Sequence, residues 1–179
     1  MMNALLANID HPMRSAHRAI TELIDLRSVS FGSPAAIVTC MGLIIGLDAA
    51  TATKAAVIGS LLIIGVADNL TDPLSVHIYQ ESECLAERRA FGTTIANYLA
   101  RLIVTFSFVL LFLLLPGSIA IFSCALWGFF LLSGLSYLLA KTRRVSPFSE
   151  IYKHSGVALV VITISKALGL WIQSVSGLT

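Results

Sequence analysis

The sequence predicts an all-α integral membrane protein, with five transmembrane helices preceded by an N-terminal amphipathic helix. Three observations carry that expectation. Of the 179 residues, 56% are hydrophobic and only 12% are charged, against about 25% charged in a soluble domain. The 39 positions from Leu102 to Ala140 hold no charged residue, and Pro116-Gly117 interrupts them midway. A crossing helix needs roughly 20 apolar residues, so this run spells two helices and a tight turn. The stretch from Gly32 to Ala67 contains only Asp48 and Lys54, placed where a second hairpin would turn.

The elements follow in order. Residues 1–30 form a cytoplasmic segment apart from the transmembrane domain, 31–179. Asp10 suits a helix cap with Pro12 in the first turn. Ala16, Ile20, Leu23 and Ile24 make an apolar stripe with Arg14, Arg18 and Glu22 elsewhere, the pattern of a helix lying along a membrane surface. His11 and His17 fit that anchor without a catalytic role. The first span is expected at about Ser33–Ala50, with Pro34 at its start and Gly42 and Gly46 permitting close helix packing. The others are expected at about Ala55–Tyr79, Thr94–Leu115, Ser118–Ala140 and Ser155–Val175. Each carries small residues, which suggests a compact bundle with a dimer interface. Trp127 reads as a packing residue, and Trp171 sits where indoles settle at an interface. Cys40, Cys84 and Cys124 are dispersed, which argues against a disulfide or zinc framework. The opening "MMNALLANID" lacks the basic start and apolar core of a cleaved signal.

Charge sets the expected topology. Lys and Arg are enriched in cytoplasmic loops. Arg14, Arg18, Arg27, Arg88, Arg89, Arg101, Lys141, Arg143, Arg144 and Lys153 fall on one side, and Lys54 alone on the other. The N-terminus is therefore expected inside and the C-terminus outside, in a multi-pass plasma (inner) membrane protein.

The candidate site is "GVADNLTDPLSVHIYQESE", residues 65–83. Charged side chains within a membrane span are expensive, and each demands a functional or pairing explanation. Asp68 and Asp72 are four apart on one helix face, continued by Ser75 and Tyr79. Asn69, His77, Glu81 and Glu83 cluster further along. Pro73 removes a backbone donor and frees the carbonyl of Asn69. These hard oxygens suit a divalent cation, and His77 adds a preference for a transition metal. Two intramembrane pairs, Asp68–Lys166 and Asp72–Arg101, account for the same charges without a metal. A third possibility is enzymatic, since Asp-x-x-x-Asp helices hold Mg²⁺ and a diphosphate in some membrane transferases. Those sites need a second acidic motif, which the third to fifth spans lack.

The order of these motifs resembles the vacuolar iron transporter family. Its first span reads approximately FG-x-x-DGIVT-x-x-G-x-x-xG, and "FGSPAAIVTCMGLIIG" keeps Phe31, Gly32, Ile37, Val38, Thr39, Gly42 and Gly46. Its second reads approximately GLA-x-x-x-AD-x-x-SM with a Tyr and an acidic end. Here Gly65, Ala67, Asp72 and Ser75 are kept, and Tyr79 with "ESE" follows. The match covers residues 31–83 and is architectural beyond them. The first-span Asp of the family falls at Ala35, its Gly at Ala36, and the second-span Met at Val76. The glutamate-rich insert of larger members is reduced to a short loop, Ser82–Gly92.

The resemblance implies a non-enzymatic homodimeric transporter of Fe²⁺ or Mn²⁺, with the metal as cargo and no tightly bound cofactor. Its ion route would use Asp68, Asp72, Ser75, His77, Glu81 and Glu83. Its partners would be membrane lipid, the divalent ion and a second copy, with no nucleic acid. The alternative is a non-transporting structural or regulatory subunit of the same fold.

Overall fold

The computed structural model describes residues 26–82 and 87–177, with side chains other than those of 26–31, 76, 80, 81 and 87–90. Of the amphipathic segment expected at 1–30, residues 1–25 lie outside the described residues, as do Cys84 and Glu83, and 26–30 belong to the first helix of the bundle. The described residues form five helices: α1 Leu26–Ala49, α2 Lys54–Ser82, α3 Glu87–Leu114, α4 Gly117–Arg143 and α5 Pro147–Ser176. No strand occurs among the described residues. All five are long and apolar enough to cross a membrane.

The turns are set by local chemistry. Thr53 accepts the Ala56 N–H through its hydroxyl at 3.2 Å, capping α2. Lys54 reaches across to the carbonyls of Leu113 and Leu115, both at 2.9 Å, and so ties the α1–α2 turn to the C-terminus of α3. Gly117 takes φ +38 directly after Pro116, which ends one helix and starts the next. Pro147 occupies the first turn of α5, where its missing N–H has no helical partner to lose.

Three helix starts differ from the sequence expectation. One of them is α3, which begins at Glu87 and not at about Thr94, so that it takes up part of the loop expected at Ser82–Gly92. α1 begins at Leu26 and runs through Pro34, which sits inside it and not at its start. α5 begins at Pro147, eight residues before the expected Ser155, because a proline suits a first turn and "FSEIYKH" continues the helix.

α1 is the central helix and touches all four others. Its inner face, with Ala36, Ile37, Cys40, Met41 and Ile44, is buried against them. Buried stripes on the neighbours recur every fourth residue. On α2 they are Val57, Leu61, Gly65, Asn69 and Pro73, and on α4 Ala120, Cys124, Gly128, Leu132, Ser136 and Ala140. Such rows are inclined to the helix axis and pack into the grooves of a neighbour. Gly42 and Gly46 face Ser165 of α5, and Gly169 lies against the Gly46 carbonyl and Ala49. The close helix packing expected at Gly42 and Gly46 is therefore made with α5 of the same chain. The outward faces carry exposed Ile63, Ile103, Phe106, Phe122, Phe130 and Val160. Apolar surface of this kind suits lipid as solvent.

Candidate functional site

A polar seam runs through the interior between α1, α2 and α3, and Arg101 is its centre. Arg101 lies midway along the apolar stretch Phe91–Leu114 of α3 and is 1% exposed. The sequence reading counted it with the cytoplasmic loop charges. The structure moves it to mid-span, because the helix around it is apolar on every other face and its charge is satisfied inside.

Four of its five N–H donors are engaged. Nε donates to Asn69 Oδ1 at 3.0 Å, and Nη1 to the Gly32 carbonyl at 3.2 Å. Nη1 also meets Asp72 Oδ2 at 2.7 Å, and Nη2 meets Asp68 Oδ2 at 3.2 Å. The expected Asp72–Arg101 pair is thus present. The expected Asp68–Lys166 pair is not, since Asp68 shares the same guanidinium.

Depth explains that correction. Gly169 packs at the level of Gly46–Ala49, the last turn of α1, so Lys166 lies one turn below that end of the bundle. Asp68 follows the start of α2 at that same end by fourteen residues, about 21 Å at 1.5 Å per residue. Lys166 is also on the exposed face of α5.

Further groups lock the arrangement. Asn69 Nδ2 donates to Thr105 Oγ1 at 3.0 Å, which orients its amide oxygen toward Arg101. Thr105 Oγ1 donates to the Arg101 carbonyl at 3.0 Å and accepts a weak bond from Cys40 Sγ at 3.8 Å. Asn97, one turn from Arg101, is buried with its Oδ1 in the space that a side chain at Gly32 would fill. That oxygen has no conventional hydrogen-bond partner. Gly32 is therefore required twice, for its carbonyl and for its missing Cβ.

The remaining candidates are placed less centrally. Ser75 Oγ is exposed and donates to the Thr71 carbonyl of its own helix at 3.0 Å. His77 is half-buried, with its ring edge-on to Phe91 at 6.3 Å. Glu81 is within α2, and its side chain is outside the described set, as is all of Glu83. Among the described residues, no three His, Cys, Asp or Glu side chains form a group suited to holding a metal. The structure instead brings together Asp68, Asn69 and Asp72 with Gly32, Asn97, Arg101 and Thr105. Sequence reasoning missed Asn97 and Thr105. Their signal was the spacing Asn97-Arg101-Thr105, a polar stripe at i, i+4 and i+8 in an apolar helix.

Asp68 and Asp72 are 43% and 50% exposed, and each gives one oxygen, Oδ2, to Arg101. Two carboxyl groups thus share one guanidinium, each with one oxygen engaged and a partly exposed side chain. No family model, no curated protein and no solved structure matches the chain.

Proposed function

We propose that this chain is a non-enzymatic membrane transporter of divalent transition-metal cations, Fe²⁺ or Mn²⁺. One observation carries the reading. Asp68 and Asp72 stand one turn apart near mid-span, in excess over Arg101 and about half exposed. Carboxylate left over at that depth is costly unless a cation or a partner meets it. Hard oxygens suit Mn²⁺ or Fe²⁺, and the match of Asp72 and Ser75 to the transporter pattern supports this choice. The exposed side of the pair faces away from its own bundle. A homodimer that covers this face of α2 would enclose the ion route and remove the carboxylates from lipid. The loop charges favour a cytoplasmic N-terminus, the plasma membrane is the setting proposed with it, and Glu81 and Glu83 would collect the ion at the inner end of α2.

A second reading is a non-transporting structural or regulatory subunit, favoured by the engagement of both carboxylates by Arg101. Mn²⁺ and Fe²⁺ uptake into proteoliposomes tests between them. Asp68→Asn and Asp72→Asn, checked for folding, should each abolish flux under the transport reading. Flux unchanged by both substitutions, or no flux from the folded parent protein, would establish the structural reading. Crosslinking through Ser75→Cys between two copies should succeed if α2 lines the dimer.

A further inference from the structure

We propose that the α4–α5 turn is a binding surface for anionic phospholipid headgroups. Lys141, Arg143, Arg144 and Lys153 are all exposed there. Glu150, the one acid between Lys141 and Lys153, meets Lys153 at 3.0 Å and Arg143 at 3.9 Å. Four cations less one carboxylate leave +3 on a short stretch of surface. The other three connections offer nothing similar in sequence: Asp48 and Lys54 offset each other at the first, Glu81, Glu83 and Glu87 outnumber Arg88 and Arg89 at the second, and 114–118 carries no charge.

The position of this charge identifies the occupant. It begins directly after Ala140, the last buried residue of the apolar α4, and ends as α5 turns apolar. That places it at the headgroup level of a membrane crossed by both helices. Phe148 and Tyr152, four residues apart on α5, are 84% and 82% exposed beside the cations. Aromatic rings at the boundary of a span settle among headgroups and acyl carbonyls. Basic clusters at the same level attract anionic lipid. A soluble acidic protein would match the charge but gives no reason for two outward aromatics next to a span.

The turn itself is informative. Arg144 adopts φ 56, ψ 36, a left-handed conformation that glycine enters without steric penalty. Its N–H and that of Val145 close the end of α4 onto the Ala140 carbonyl. A guanidinium thus stands where glycine would make the better helix terminus.

This proposal is independent of transport, and so is its test. The purified protein in uncharged detergent is titrated with phosphatidylglycerol or phosphatidylcholine, and lipid adducts and the thermal midpoint are read. Phosphatidylglycerol should bind preferentially and raise the midpoint. The effect should shrink in roughly 1 M salt, where the Debye length falls to about 3 Å. Arg143→Gln with Arg144→Gly should weaken phosphatidylglycerol binding roughly thirty-fold, while the midpoint in phosphatidylcholine holds or rises because glycine relieves the turn. Lys141→Gln with Lys153→Gln, which leaves the left-handed Arg144 in place and removes only the exposed Lys153–Glu150 pair, should weaken it similarly. Equal response to the two lipids, or full phosphatidylglycerol response in both double variants, overturns the proposal. So does an equal shift from inorganic phosphate alone, which would assign a free-anion site.

Discussion

Arg101 is shared by two carboxylates, so Asp68→Asn and Asp72→Asn should behave non-additively. Asp72 meets Nη1 and Asp68 meets Nη2, while Arg101 is 1% exposed. Removing either charge leaves the guanidinium balanced by the other. Asparagine also retains an acceptor, so each single variant loses only the difference between a charged and a neutral hydrogen bond, about 1 kcal/mol. Partial exposure of both carboxylates keeps that figure low. The double variant leaves a buried guanidinium without countercharge, a defect of about 3–5 kcal/mol. The coupling is therefore about 1–3 kcal/mol. Adding Arg101→Leu should recover most of the loss, less the price of an unpaired Asn69 oxygen. The assay is thermal unfolding in mild detergent, followed by a thiol-reactive dye on buried Cys40 and Cys124 in a Cys84→Ser background. For a chain of this size the single variants should lower the midpoint by about 2–4 °C and the double by about 6 °C or more. A double variant equal to the sum of the singles within about 0.5 kcal/mol refutes a shared counter-ion, as does a triple variant with no recovery.

Other substitutions test the packing around this site. Gly32→Ala should destabilise strongly, since the new methyl would collide with Asn97 Oδ1 and lie 3.0 Å from Arg101 Cδ; Gly32→Ala with Asn97→Ala should recover part of the loss in the same thermal assay. Gly169→Ala would press on the Gly46 carbonyl and stand 2.8 Å from Ala49 Cβ, parting α5 from α1 and lowering the midpoint. Gly156→Ala, with nothing within 4 Å, should be neutral or raise it by up to about 1 kcal/mol in stability through helix propensity. Lys166→Leu should leave stability unchanged or improved, in contrast to Arg101→Leu, because Lys166 is exposed and makes no ion pair among the described residues.

The number, order and approximate extent of the helices were legible from charge-free runs and turn residues, because helix length is fixed by membrane thickness. The Pro34 boundary was not, since proline marks a first turn and an interior break with the same residue. Asp72 and Arg101 were both visible as charges in apolar helices, and their pairing followed from similar depth. Asp68 went astray through the choice of Lys166. Position within a helix was taken as depth within the bundle, but α5 extends past the α1–α2 turn and raises Lys166 toward that end. The use of Gly42 and Gly46 was likewise invisible: spacing shows that a face is small, not which helix covers it. Asn97 and Thr105 carry no charge and had no reason to stand out until Arg101 was seen between them.

A fully buried arginine near mid-span is a poor stability device by itself, since desolvation of both partners offsets much of the ion-pair attraction. Apolar packing at residue 101 would serve a purely structural α2–α3 contact as well, and the Asn69–Thr105 bond already links those helices. The guanidinium also does more than neutralise, for its Nε and Nη1 fix Asn69 and the Gly32 carbonyl while its two remaining contacts hold Asp72 and Asp68 by one oxygen each. It thereby sets the direction in which both carboxylates present their other oxygens. Under the proposed transport function, Arg101 would be a positioning residue for an open acidic pair. Arg101→Lys separates this from a simple countercharge role. A lysine supplies the charge but not the planar fork, so it should retain much of the stability and, if the parent protein transports Mn²⁺ as proposed, lose that flux. If lysine supports flux at the parent rate, charge alone suffices and the positioning role fails.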